Sequence, residues 1–150
     1  MRALLRRVSR ATVEVKNKLV GEINEGLVLY LAIHSDDSEA DLEWVIKKVL
    51  GVRIFENEDQ KMDLPVQSHH GILVISQFTL FGNLKKGFKP SFHRAAPPTT
   101  AEQNYQRFLS LLEERHPGNV QRGEFGKEMI ISAVDQGPVT IWLDSHDKNY

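Results

Sequence analysis

Residues 27–33, Leu-Val-Leu-Tyr-Leu-Ala-Ile, follow Gly26 as a near-continuous apolar run of strand length. No polar alternation marks a wet face, so the run predicts a central β-strand buried on both sides. A strand of that kind needs cover above and below, and the flanking sequence offers both strands and helices. Upstream, residues 2–15 mix apolar and polar positions with Val8, Thr12, Val13 and Val15 as β-branched members, and Lys16-Asn17-Lys18 reads as a turn into LVGEI. A hairpin is the simple reading. Downstream the period changes. Ser38 and Asp41 form a capping-box pattern with Asp in place of Glu, and Leu42, Val45, Ile46, Val49 and Leu50 recur at helical spacing before Gly51.

The remainder is read the same way. VRIFE (52–56) and GILVISQFTL (71–80) are expected as strands, separated by a polar stretch, 57–70, that contains Pro65. Residues 81–98 hold two Gly and three Pro with little periodicity, which predicts a long functional or ordered loop. Pro97-Pro98 opens a second helix whose apolar stripe is Ala101, Tyr105, Phe108, Leu109 and Leu112. NVQRGEF, EMIISAV and VTIWLD follow as three short strand candidates, the last two separated by Asp135-Gln136-Gly137-Pro138, and 145–150 reads as a polar, frayed tail. The expectation is one α+β domain over residues 1–150, with seven or eight strands and two long helices.

Composition removes whole classes of chemistry. The chain has no cysteine, which excludes disulfides, thiolate nucleophiles, zinc ribbons and iron–sulfur clusters together and makes the reducing cytoplasm the expected location. The basic start MRALLRRVSR lacks a signal-peptide apolar core, and no run approaches the ~20 apolar residues of a membrane span. With 19 Lys plus Arg against 20 Asp plus Glu, a nucleic-acid coat is disfavoured. Any nucleic acid must meet a local patch. The six histidines, at 34, 69, 70, 93, 116 and 146, show no H-x-x-x-H spacing, and there is no G-x-S-x-G elbow, Walker loop or dinucleotide fingerprint. Neither a metal nor a cofactor is expected.

Three segments stand out. Ser76-Gln77-Phe78-Thr79-Leu80 ends an apolar strand in hydrogen-bonding groups, either as a platform addressing a ligand or as a strand leaving the core with local backbone bonds. Lys85, Lys86, Phe88, Lys89, Phe92 and Arg94 interleave cations with rings, which suits phosphate contact and base stacking. A solvated basic loop with Phe92 tucked into the core is the plainer alternative. Gly137-Pro138, between two strand candidates, suits a tight turn or a cis bond that would reorient two backbone carbonyls.

Together these segments resemble the D-aminoacyl-tRNA deacylases, also called D-tyrosyl-tRNA deacylases. The resemblance runs through MRALLRRVSRATVEV, GLVLYLAI, ADLEWVIKKVLGVRIFE, SQFTL, KGFKPSF, AAPP and GPVTIWLDS. SQFTL and GPVT in that order are specific as a pair. The resemblance implies a homodimer of β-barrel-like subunits with active sites at the interface, acting on the aminoacylated 3′ end of tRNA, with no membrane and no DNA partner. It assigns Ser76, Gln77, Phe78 and Thr79 to the catalytic pocket, and Gly137 and Pro138 to a Gly-cis-Pro element inserted from the opposite subunit. Arg7 matches an arginine that fixes the Gly-Pro carbonyls, and Met129 a pocket-lining methionine. Lys85, Lys86, Phe88 and Lys89 fall in the RNA-facing loop.

The implied activity is hydrolysis of D-aminoacyl esters, and of glycyl-tRNA mischarged on alanine tRNA, with L-aminoacyl-tRNA rejected by exclusion. An aminoacyl ester is already activated, so a positioned water, backbone N–H donors and the ribose 2′-hydroxyl replace a triad. Thr79 is then a pocket residue rather than the nucleophile. Two departures from the family pattern are Asp135, where Asn is usual, and Phe88-Lys89, where a polar residue and arginine are more common. Neither falls within SQFTL or Gly-Pro, whereas a related animal branch alters both elements and fits less well. The competing readings are a non-catalytic binding dimer that keeps the fold and a hydrolase of another activated ester or amide.

Overall fold

In the computed structural model, which describes residues 1–149, the chain is organised around its first strand, β1 (Arg2–Val15). Strand β2 (Lys18–Ile23) folds back on the second half of β1, and β3 (Gly26–Ala32) pairs antiparallel with the first half, from Arg2↔Ala32 to Val8↔Gly26. Lys16 and Asn17 both take positive φ, 50° and 61°, in the tight turn between β1 and β2. Helix α1 (Glu39–Gly51) follows, then the short pair β4 (Phe55–Glu56) and β5 (Met62–Leu64). Strand β6 (Gly71–Ser76) runs parallel to β3 and enters a 3-10 turn, Phe78–Phe81. Helix α2 (Pro98–Arg115), β7 (Val120–Arg122) and β8 (Ile130–Asp144) complete the order.

The main sheet runs β2-β1-β3-β6-β7, with β8 along the other edge of β1. Its ends curl toward each other. A Cβ on Gly21 of β2 would stand 3.0 Å from the Arg122 carbonyl of β7, and the Asn119 amide donates to the Glu22 carbonyl at 3.4 Å. The result, over the described residues, is a nearly closed, barrel-like α+β fold with eight strands and two helices, as the family resemblance implied.

Strand β3 explains its own sequence. Leu27, Leu29 and Leu31 face α1 and α2, packing with Val45, Val49, Phe108 and Leu112, while Val28 faces the inside of the curl with Val8, Val13, Leu73 and Ile75. Each fully buried aliphatic side chain of this kind contributes about 1.5–3 kcal/mol relative to exposure. Both faces are dry, which is why the run carries no polar alternation.

The capping box forms as expected. Asp41 accepts from the Ser38 N–H at 2.9 Å and from its hydroxyl at 2.6 Å. Burial acts to raise the Asp41 pKa, but the bonds from Ser38 and Ser145 and the N-terminal charge outweigh it and hold the carboxyl at about 2.

Several boundaries differ from expectation. GILVISQFTL is strand only to Ser76, because the chain turns into the 3-10 segment. VRIFE shrinks to β4, and its partner β5 lies in the polar stretch 57–70, for which no strand was expected. EMIISAV and VTIWLD are one strand, β8, held continuous by pairing with β1 on both sides of Gly137-Pro138. The expected frayed tail is tied down at its start. The Met1 ammonium, buried in the core, binds Asp37 and donates to Ser145 Oγ at 2.7 Å, and Ser145 N–H donates to the Met1 carbonyl at 2.9 Å. His146 Nε2 meets Asp37 Oδ1 at 2.8 Å. Residue 150 of that tail lies outside the described residues.

Candidate active site

A cleft of about 730 Å³ opens where β3 and β6 end, between the 3-10 turn, the start of α2 and residues 125–131. Ser76, Gln77 and Phe78 meet Met129, a residue distant from them in sequence, on its wall. The turn has a physical cause. Gln77 donates its N–H to the Leu31 carbonyl at 2.8 Å, the last tie to β3, and its φ of −145° with ψ of 72° breaks the strand. Leu80 N–H then bonds back to the Gln77 carbonyl at 3.2 Å. The N–H groups of Phe78 and Thr79, first in the turn, are left outside its bonding and form a pair of backbone donors at the end of a rigid strand.

Thr79 is exposed and is not part of the cleft wall. The Gln77 side-chain amide donates to its hydroxyl, and among the described residues no imidazole or carboxylate hydrogen-bonds it. Nothing there activates Thr79 as a nucleophile. The wall also includes residues that sequence reasoning did not single out: Tyr105, Phe125, Lys127 and Glu128. Tyr105 belongs to the apolar stripe of α2, and burial pushes its phenol pKa up, leaving a neutral hydroxyl that donates to the Val74 carbonyl at 3.0 Å. Phe92, which the plainer alternative tucked into the core, lines the cleft and meets Phe78 edge-on at 5.0 Å between ring centres.

The basic loop stands apart from the wall. Asn83 and Ser91 exchange backbone bonds at 2.9 and 3.0 Å and pinch off a tip bearing Lys85, Lys86, Phe88 and Lys89. Phe88 is fully solvent-exposed at 104%. A fully exposed ring among cations is available for stacking.

Gly137 and Pro138 do not line this cleft. Their peptide is cis. On β1, Arg6 pairs with Thr140 and Val8 with Asp135, so residues 136–139 bulge out of the ladder opposite the single residue Arg7. Arg7 is 5% exposed and braces the bulge, donating to the Gln136 carbonyl at 3.0 Å and to the Ile54 carbonyl at 2.6 Å, with Glu56 at 3.6 Å. Asp135 adds no free charge beside it. Arg6 binds its carboxylate through two bonds of 3.0 and 2.8 Å and also donates to the Tyr30 hydroxyl at 3.3 Å.

One trio of metal-ligating side chains comes together among the described residues, Asp37, Asp41 and His146, but the Met1 ammonium already supplies the positive charge there. Among the described residues, no helix is long and apolar enough to cross a membrane.

The barrel-like fold is shared with two solved structures. A structure titled "c-Myc DNA Unwinding Element Binding Protein" superposes with a TM-score of 0.90 at 37% identity, covering 96% of this chain and 98% of that one. A structure of a probable eukaryotic D-amino acid tRNA deacylase has the same fold, with a TM-score of 0.78 at 21% identity over 95% of this chain and 97% of that one. The model of the D-Tyr-tRNA(Tyr) deacylase family matches residues 4–144, and the chain belongs to that family of hydrolases. The D-aminoacyl-tRNA deacylase of Thermotoga petrophila is 48% identical over 146 residues, 97% of each chain. That of Aliivibrio fischeri is 45% identical over 144 residues, 95% of this chain and 99% of that one.

Proposed function

We propose that the chain hydrolyses the ester bond of D-aminoacyl-tRNA, releasing free amino acid and tRNA, and spares L-aminoacyl-tRNA, as chirality proofreading in the cytoplasm during translation. The observation that carries this reading is the cleft joining Ser76, Gln77, Phe78 and Met129 in a member of a deacylase family. In this reading the 3′-terminal adenosine lies against the aromatic wall, and the ester carbonyl faces the Phe78 and Thr79 N–H donors, which take up the developing oxyanion charge. The ester is already activated, so holding it beside a water and the ribose 2′-hydroxyl supplies the remaining rate. Lys85, Lys86, Lys89 and Phe88 contact the tRNA beyond its end.

The cleft is incomplete in one subunit, because Gly137 and Pro138 bulge from a strand edge elsewhere. A homodimer completes it. Among the described residues strand β8 pairs only with β1, and its exposed Ile130 and Val134 supply apolar surface for a second copy. Gly137 and Pro138 of the partner subunit then present backbone carbonyls to the substrate ammonium, with Arg7 of the partner subunit bracing them. An L side chain clashes with that wall while a D side chain points outward. Glycine has nothing to exclude, so glycyl-tRNA mischarged on alanine tRNA is also a substrate.

Single-turnover deacylation of matched D-tyrosyl-, L-tyrosyl- and glycyl-tRNA tests the reading. The D-tyrosyl and glycyl esters are expected to be cleaved and the L-tyrosyl ester to persist; equal rates on the two tyrosyl substrates would overturn it. Thr79→Ala is expected to keep most of the turnover, because among the described residues its hydroxyl bonds only Gln77. Near-complete loss with D-aminoacyl-tRNA binding intact would make Thr79 the nucleophile instead.

A further inference from the structure

Arg2 opens β1 opposite Asp144, the last residue of β8. Its Nε donates to Asp144 Oδ2 at 2.8 Å, and its Nη1 donates to the Leu80 carbonyl, also at 2.8 Å. The guanidinium lies 4.8 Å from the centre of the Phe81 ring and 5.4 Å from that of Trp142. Asp144 is itself oriented by the His146 N–H at 3.0 Å. One side chain thus ties the Arg2–Asp144 end of the β1–β8 ladder to the 3-10 turn that carries Phe78 and Thr79.

We infer that Arg2 is a positioning residue for the deacylation reaction, holding the Phe78–Phe81 turn beside the cleft so that the backbone donors at its start keep their place. Other anchors share the turn, among them the edge-on contacts of Phe78 with Phe92 and of Phe81 with His34. Its start is tied to β3 through Gln77, and its end is held by the buried Phe81 ring and by Arg2. Leu80 directly follows Thr79, so the plane of its carbonyl is coupled to the two preceding amides. A planar guanidinium satisfies a carboxylate and a carbonyl at fixed separation while stacking on rings, whereas an ammonium is a point donor without that fork. Lysine at this position therefore preserves charge but not aim.

The inference rests on the deacylase reading for its kinetic readout, and a second readout needs no substrate. In Arg2→Met, kcat on D-tyrosyl-tRNA is expected to fall roughly 10-fold with KM changed less than about twofold, as a misaimed donor acts in the transition state. Arg2→Lys, which retains a cation for Asp144 and protects the fold, is expected to fall between Arg2→Met and the wild type. Hydrogen exchange at the amides of residues 80–82 is expected to accelerate in both variants. A folded Arg2→Met protein with wild-type kcat and wild-type exchange would overturn the role of Arg2, as would a rise in KM at unchanged kcat. A wild-type protein inactive on D-tyrosyl-tRNA would overturn the functional reading alone, and the exchange experiment would still decide whether Arg2 holds the turn.

Discussion

Alanine at Gly137 is expected to lower D-tyrosyl-tRNA turnover by roughly 100-fold, the scale of loss when a group at a reacting centre is displaced by about 1 Å. Gly137 has φ of +132°, a region that L side chains rarely adopt. A Cβ there would stand 2.8 Å from the Val139 nitrogen and 3.2 Å from Arg7 Nη2. The backbone has to move, and Arg7 with it, so the bonds from Arg7 to the Gln136 and Ile54 carbonyls no longer hold the bulge in place. Pairing of β8 with β1 continues on both sides of the bulge, so the thermal midpoint is expected to drop by no more than about 5 °C. Single-turnover kinetics and a melting curve on the same preparation check both halves. Wild-type turnover in a well-folded variant would remove the segment from the reacting centre.

Gly26→Ala is expected to have the largest effect on stability, a loss of more than about 4 kcal/mol or outright failure to fold. Gly26 and Gly71 are register partners at the head of the parallel β3–β6 pair. A Cβ on Gly26 would overlap the Gly71 carbonyl oxygen and stand 2.7 Å from that residue's carbonyl carbon and nitrogen. These are backbone atoms, and the Gly71 N–H already donates to the Glu25 carbonyl at 2.9 Å, so neither chain can yield without unzipping the pair that delivers Ser76 and Gln77 to the cleft. Gly51, at the end of α1, is the control, because an added Cβ meets nothing within 4 Å. Urea titration should show a wild-type or raised midpoint for Gly51→Ala. Folded Gly26→Ala of wild-type stability would contradict the close approach of the two strands.

What the sequence made legible was whatever a local period or cap encodes. The stripe of α1, its Ser38–Asp41 box and the doubly buried β3 all repeat within a few residues, and each appears where the pattern places it. Strand β5 was hidden because Met62 and Leu64 are exposed on a two-stranded edge, where pairing rather than burial defines the element. The continuity of β8 through Gly137-Pro138 was hidden for a related reason. It comes from β1, more than a hundred residues earlier, since Arg2 and Asp144 are 142 positions apart. In the cleft, the motif Ser76-Gln77-Phe78-Thr79 was visible, but a one-turn 3-10 segment takes Thr79 off the wall, and no side-chain pattern announces such a turn. Tyr105 looked like one more apolar residue of α2 because its ring is core. Only its hydroxyl, bonded to Val74, and its place beside Phe125 mark it as part of the cleft.

The pairing of the first strand with the last bears on how the chain reaches this structure. As the chain leaves the ribosome, β1 can form its hairpin with β2 and then recruit β3, but its other edge stays open until β8 has been made. Closing so distant a contact places the protein among slow, high-contact-order folders, on a scale of about milliseconds to seconds. During that interval an unpaired edge of fourteen residues is exposed to neighbouring chains. Arg2, Arg6 and Arg7 on that strand then carry positive charge not yet neutralised by Asp144 and Asp135 of β8 or screened by Glu56. Between Arg2 and Arg10 that edge carries charge of one sign only, which discourages pairing with another copy of itself, so the arginines that later brace the finished site also guard the strand while it waits.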